Sequence, residues 1–303
     1  MISTLVLAVA MLQAPSFAQT SALNQLAQDS LLAQIQKRIA ETAGATVAVS
    51  YIDLQTGDSI ALNPDTMFHA ASTMKIPVMI EVLRRAQSGA FSIDQPLLLV
   101  NQFHSIVDGS AYSLDKAEDG DTALYSRLGE RVPIRDLMRR MITLSSNLAT
   151  NQLIALVDAK RVTEMARSLG ATRMQVLRGV EDQKAFDRGM INTTSSADLA
   201  TLLMAIETGR ALSPASSAVM REILLAQEFK TKIPAGLPPG TRVAHKTGEI
   251  TAVSHDAAVV YPEGRKPYVL VVLTRGVRES KDSSQLIADV SRIVYAHATR
   301  SAR

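Results

Sequence analysis

The stretch HAASTMKIPV, residues His69 to Val78, sets a serine and a lysine three positions apart just ahead of an apolar run. The spacing alone is cheap, because it recurs at Ser113 and Lys116. The residues downstream of each pair separate the two. In MKIPVMIEVLRRAQSG, Val78, Met79, Val82 and Ala86 recur at helical spacing and Gly89 supplies a stop, so Ser72 and Lys75 stand one turn apart at a helix start. Pro77 fits this placement, since proline is tolerated early in a helix and not in its middle. Ser113 and Lys116 fall instead within residues 101–131, a polar, glycine-dotted and weakly periodic stretch that reads as a long loop with at most one short helix.

Outward from this helix the chain sorts into two kinds of segment. DSLLAQIQKRIAETAG carries Leu32, Ile35 and Ile39 on one face up to Gly44 and predicts an amphipathic helix. TVAVSYIDL and DSIALN flank the turn Gln55-Thr56-Gly57-Asp58, a hairpin pattern. Near the other end, RVAHKTGEI, SHDAAVVYP and KPYVLVVLTRG are β-type runs, and a last helix spans roughly Ser284 to His297. Between them the periodicity is helical: VPIRDLMRRMI with Pro133 in a first turn, RVTEMARSLG, and SSADLATLLMAIETG with a Ser195/Asp198 capping box and Gly209 as its stop. The methionines on these stripes read as core filler. Both ends therefore supply strands and the middle supplies helices, an α/β (α+β) pattern in which residues 19–70 and 212–303 build the sheet part and 71–211 a helical part. A site at the seam draws on both.

Composition narrows the function. The 303 residues are 47% hydrophobic, enough for a substantial core, and carry a net charge of +3 from 32 basic and 29 acidic residues spread along the chain. With no tryptophan, 4% aromatics and no basic run, nucleic acid is not an expected partner. The run LVLAVAML, then Pro15 and Ser16-Phe17-Ala18, all ahead of the first charged residue Asp29, reads as a signal peptide over residues 1–18 cut after Ala18, although no Lys or Arg precedes the run. A helical N-terminus is the alternative. The run is too short to span a bilayer and no later one approaches that length, so the mature chain is expected to be periplasmic or secreted without a membrane segment. The absence of cysteine rules out disulfides and leaves the compartment open.

Three short motifs carry the candidate chemistry. A serine at a helix start lies beside unpaired backbone NH groups, which suit a developing oxyanion and contribute roughly 3–4 kcal/mol each in a transition state. It still needs a base. Lysine serves only if its pKa falls well below roughly 10.4, through burial or a nearby cation. AHKTGE offers that second cation as Lys246, with Ala244 and Gly248 on the same strand face; a residue as small as Gly248 admits a ligand close to the backbone. In MITLSSNLATNQL, Ser145 to Asn147 fall between two helices: one serine is a helix N-cap, the other faces a cleft, and Asn147 brings both a donor and an acceptor. No G-x-S-x-G, P-loop or dinucleotide motif is present, and the five histidines lack zinc spacing, so neither metal nor cofactor is expected.

Taken in this order, STMK at Ser72 to Lys75, SSN at Ser145 to Asn147 and KTG at Lys246 to Gly248, the chain resembles the class A β-lactamases, within the wider group of penicillin-recognising serine enzymes. The resemblance spans the mature chain. It implies a five-stranded antiparallel sheet flanked by helices, with an inserted all-helical domain and a cleft between them. It further implies acyl transfer in two steps. Ser72 attacks the lactam carbonyl, Lys75 activates it or relays its proton, Ser145 passes a proton to the leaving nitrogen, and Lys246 and Thr247 hold the substrate carboxylate. The NH groups of Ser72 and Glu249, next to Gly248, form the oxyanion hole, and Asn147 binds the substrate amide.

Deacylation in the family depends on an Ω-loop glutamate, implied here at Glu181 in LRGVEDQKAFDRGMINTTSS, with Asp182 as the alternative. Ala185 stands where the family has an asparagine, Gly179 replaces an arginine, and the loop is shorter before Thr193. Ser146 replaces a structural aspartate. His255 falls where many relatives place an arginine on the substrate carboxylate, and reads either as that ligand or as a structural histidine at a strand start. The implied protein is a monomeric, cofactor-free serine β-lactamase that acts on small-molecule β-lactams and confers antibiotic resistance. A penicillin-binding D-Ala-D-Ala carboxypeptidase or related esterase, and a non-catalytic β-lactam or peptidoglycan sensor, are the alternatives.

Overall fold

The structure, a computed structural model, describes residues 17–300, with side chains from Gln25 onward. The expected leader over residues 1–18 lies outside them apart from its last two residues, which open the first helix, α1 (Phe17–Ala40). The predicted hairpin forms β1 (Thr46–Asp53) and β2 (Ser59–Leu62). Asp53 shapes its turn by accepting the NH of Gln55 at 2.8 Å, and Gly57 takes the left-handed conformation there (φ 80°). The three late runs form β3 (Arg242–Ile250), β4 (Val253–Tyr261) and β5 (Tyr268–Arg275).

These strands make one five-stranded antiparallel sheet in the order β2-β1-β5-β4-β3, in which Val49 pairs with Leu62 on one side and with Val272 on the other. The two-residue alternation of each strand feeds two cores. Val47, Val49, Tyr51, Leu270 and Val272 face α1 and α9 (Ser280–Arg300), meeting Leu31, Ile35, Leu286, Ile287 and Val290. Ala48, Ala257, Val259, Val271 and Leu273 point the other way, into the core that continues through the helices. Each Val, Leu or Ile among these contributes roughly 1.5–3 kcal/mol on burial.

The helices between β2 and β3 are α2 (Lys75–Gln87), α3 (Ile134–Thr143), α4 (Asn147–Val157), α5 (Ala159–Ser168), α6 (Gln183–Asp187), α7 (Ser196–Glu207) and α8 (Pro214–Leu225). Every residue of α2 from Lys75 to Leu83 is buried, with α3, α4 and α5 packed around it. Pro133 serves as the N-cap of α3, one position earlier than the first turn expected of it. The capping box of α7 forms as its sequence predicts, Ser195 Oγ accepting the Asp198 NH at 3.1 Å.

Residues 101–131 depart from the long loop expected. They contain a small hairpin (Phe103–His104 with Ala111–Tyr112) and two 3₁₀ turns, Lys116–Glu118 and Thr122–Arg127. The order there comes from polar groups rather than an apolar period, which is why pattern reading misses it. Asn101 binds both the C=O (3.0 Å) and the NH (2.8 Å) of Leu114, and Asp119 and Asp121 are buried acceptors. Within this segment the exposed Ser113 donates to the Asn101 carbonyl at 2.7 Å and acts as a staple.

Candidate active site

Ser72 lies in a 3₁₀ turn, Ala71–Met74, that runs directly into α2. The turn is entered through Ala71 at φ 44° and rests on β3 at Gly248. A Cβ on Gly248 would lie 3.1 Å from Thr73 Cγ2, 3.2 Å from Ala71 Cβ and 3.2 Å from the Ser72 nitrogen. The small residue thus admits the serine turn of the same chain, where the sequence suggests a ligand. It brings the end of β3 against the N-terminus of α2, where Ser72 and Glu249 line the same cavities.

Lys75 is fully buried, and its Nζ donates to the Ser145 carbonyl (2.7 Å), Ser145 Oγ (3.1 Å) and Asn147 Oδ1 (2.9 Å). Burial pulls its pKa down to about 7, against the opposing pull of Asp119 and Glu181. A lysine so poised exchanges its proton near neutrality.

Of the two serines in the SSN run, Ser146 is the helix cap, its Oγ accepting the Ala149 NH at 3.3 Å, and Ser145 faces the cleft with φ 58°. Ser145 Oγ also receives Lys246 Nζ at 3.1 Å, so the hydroxyl bridges two lysines. Lys246 is likewise fully buried; burial first, then the neighbouring Lys75 charge, holds it well below the ordinary lysine range. Sequence reading misses the residue that supports this loop. Asp119 accepts the NH groups of Asn147 (3.0 Å) and Leu148 (2.8 Å) and the Tyr125 hydroxyl (3.1 Å), supplying a carboxylate to a loop in which Ser146 brings none.

Asn147 also donates through Nδ2 to Glu181 Oε1 at 2.7 Å, which joins the lysine end of the site to the loop of residues 177–196. Glu181 has φ 61°, accepts the Asp115 NH at 3.3 Å, and has its pKa raised, burial outweighing those hydrogen bonds. Asp182 is otherwise engaged: it caps α6 through the Ala185 NH (3.1 Å) and accepts the Ile106 NH (2.9 Å). Glu181 is therefore the carboxylate presented to Asn147. Gly179 has no room for a side chain, since a Cβ would fall 2.4 Å from Asn151 Oδ1, and Asn151 clamps both the NH (2.7 Å) and the C=O (3.0 Å) of Val180.

Two openings meet at Ser72. One, of ≈ 370 Å³, is walled by Asn147, Glu181, Phe186, Glu249 and Ile250; the other, of ≈ 230 Å³, by Ser145, Asn147, Lys232, Thr247 and Glu249. His255 lines neither. It is buried, with Nε2 2.9 Å from the His69 carbonyl and Nδ1 2.7 Å from the Ser254 carbonyl and 3.2 Å from the Thr274 nitrogen, so backbone groups hold the ring through both nitrogens. Burial holds its pKa down to about 4, so the ring is neutral. Of its two readings the geometry supports the structural one, and the expected substrate contact is withdrawn. A cation that does line the smaller opening is Lys232, 2% exposed, in a TKIP run whose sequence carries no motif.

Comparison with known proteins points to one family. A family model described as the β-lactamase enzyme family matches residues 30–298. The chain belongs to the β-lactamase enzyme family. Among similar proteins are the β-lactamase AST-1 of Nocardia asteroides, 30% identical over 84% of this chain and 79% of that one, and the extended-spectrum β-lactamase PER-1 of Pseudomonas aeruginosa, 26% identical over 89% and 88%. Solved structures of the same fold include an ancestral class A β-lactamase (TM-score 0.75, 28% identity, 89% of this chain and 99% of that one) and PBP-A (TM-score 0.76, 27% identity, 89% and 96%). The enzyme is thus a hydrolase of class A β-lactamase type. Among its described residues no helix is long and apolar enough to cross a membrane.

Proposed function

We propose that this β-lactamase hydrolyses its substrate through an acyl-serine intermediate, with Ser72 as nucleophile and Glu181 as the carboxylate that directs water in deacylation. Ser72 Oγ bonds to the lactam carbonyl carbon and passes its proton to Lys75, whose depressed pKa suits it as base. The NH groups of Ser72 and Glu249 receive the oxyanion. As the C–N bond breaks, Ser145 delivers a proton to the nitrogen and is itself resupplied through the lysine pair it bridges. Thr247 and Lys246 receive the substrate carboxylate. Water, deprotonated by Glu181, then attacks the ester and frees Ser72.

The observation that carries this reading is the 2.7 Å bond from Asn147 Nδ2 to Glu181 Oε1, which aims the carboxylate into the cavity that also holds Ser72. A penicillin-binding peptidase would share everything up to the acyl-enzyme, and the likeness to PBP-A, a point mutant of which is solved as an acyl-enzyme complex with penicillin G, keeps that second reading in view. Ala185, at the family's asparagine position, favours it, because it removes one hydrogen-bonding group from the Ω-loop.

An intact-mass time course with benzylpenicillin, run beside hydrolysis of a chromogenic cephalosporin, decides between them. Fast turnover with little adduct supports the β-lactamase; a long-lived adduct on the wild-type protein supports the peptidase. Glu181→Gln should accumulate the adduct, with deacylation slowed about 10²–10⁴-fold and acylation nearly unchanged. We infer further that the protein is exported from the cell that makes it, acts as a monomer and protects its host from β-lactams, which fractionation, light scattering and growth of an expressing strain on penicillin would test.

A further inference from the structure

Three lysine ammonium groups converge on the cleft, and the acyl-transfer scheme uses only two. The third, Lys232, precedes the 3₁₀ turn Ile233–Gly236 and shares the ≈ 230 Å³ cavity with Ser72, Ser145 and Thr247. Its Nζ donates to the carbonyls of Gly248 (3.2 Å) and His255 (3.4 Å), and pairs with Glu249 Oε2 at 3.1 Å. Glu249 belongs to the oxyanion-hole position by its backbone, yet its side chain folds back along the cavity rim, 48% exposed, with the second carboxylate oxygen held by the Ser280 hydroxyl at the start of α9.

A carboxylate therefore already occupies the cation that faces an incoming anionic group. We propose that Glu249 is an internal competitor for Lys232: it holds that ammonium in the free enzyme, must yield it to the carboxylate of a bound β-lactam, and so sets the enzyme's preference between anionic and neutral substrates. This rests on the proposed function for the substrate class. The physical basis is one of exchange. An anionic ligand gains Lys232 only by breaking a pair of the same chemistry, and the displaced Glu249 charge stays close enough to repel it. A neutral ligand meets neither effect. Half exposure lets the Glu249 side chain swing outward, and it also limits the pair to a modest contribution.

The test is binding in a Ser72→Ala background, measured by calorimetry with benzylpenicillin and with its uncharged methyl ester. Glu249→Gln should lower the Kd of benzylpenicillin roughly three- to fivefold and leave the ester unchanged. Ser280→Ala, at an exposed helix start, should shift affinity in the same direction by loosening Glu249. Lys232→Met should weaken benzylpenicillin by about tenfold or more and erase the effect of Glu249→Gln. Equal effects on both ligands, an effect that survives loss of Lys232, or no tighter binding of benzylpenicillin by Glu249→Gln, including no binding at all, overturns the proposal. Failure of the wild-type protein to acylate would instead strike the proposed function, and the binding comparison would still decide the role of Glu249.

Discussion

Ser145 Oγ lies 3.1 Å from Lys75 Nζ, presented by a backbone held at φ 58°. The serine carbonyl binds the same ammonium at 2.7 Å, so Lys75 is anchored even without the hydroxyl. Ser145→Ala should therefore separate chemistry from structure. Acylation by a penicillin should fall about 10²–10³-fold in stopped-flow measurements, while the melting temperature stays within a few degrees of wild type.

The pH dependence arises from two displaced groups. Lys75 has its pKa lowered to about 7, so it is a free amine above that pH and kcat/KM for acylation should rise through pH 7 and fall below it. Asp119 is the larger of the two charges opposing that depression, and Asp119→Asn should move the acid limb to lower pH. The raised pKa of Glu181 means that deacylation loses its base at a pH above the usual carboxylate range, and Glu181→Gln should abolish that limb in single-turnover data.

Asp119 is also structural. Asp119→Ala strips acceptors from the buried NH groups of Asn147 and Leu148 and from the Tyr125 hydroxyl. A loss of about 2–4 kcal/mol in urea unfolding is expected, together with impaired acylation, because Asn147 and Ser145 share the loop.

Gly179→Ala tests the Ω-loop clamp. The new Cβ would press on Asn151, which must shift and release Val180, the neighbour of Glu181. Stability should fall by about 1–3 kcal/mol, and acyl-enzyme should accumulate in the mass spectrum because Glu181 leaves its place beside Asn147.

Gly248→Ala tests the other close approach. Contacts of 3.1–3.2 Å with Thr73, Ala71 and Ser72 force β3 away from the nucleophile turn. Acylation should slow by about tenfold or more while the deacylation rate constant of preformed acyl-enzyme changes less.

The parts of the molecule legible in its sequence are those governed by period and local chemistry. Alternating Val47, Val49 and Tyr51 mark a strand, the Ser195/Asp198 box marks a helix start, and the apolar stripe after Ser72 separates it from Ser113. The features that escape depend on contacts distant in sequence. Lys232 reaches the cleft from an irregular segment, Asp119 supports a loop 28 residues away, and the orientation of His255 is set by backbone groups at His69 and Thr274. None of these leaves a spacing in the chain, because polar staples are chosen by geometry after folding rather than by periodicity before it. Gly179 and Gly248 are visible as small residues, but the reason for their size becomes plain only with the Asn151 clamp and the serine turn beside them.

The register of the sheet has a consequence for how the protein is made. β1 lies between β2, its neighbour in sequence, and β5, so that Val49 waits for Val272. The helices can begin to collapse on local contacts, but the sheet closes only after almost the whole chain has emerged, a contact order that slows folding and leaves β1 with an open edge meanwhile. Thr247 and Glu249 arrive on those same late strands, so the openings at Ser72 lack their β3 wall until the final hairpin docks, and a chain that stops short of β3 cannot complete the cleft.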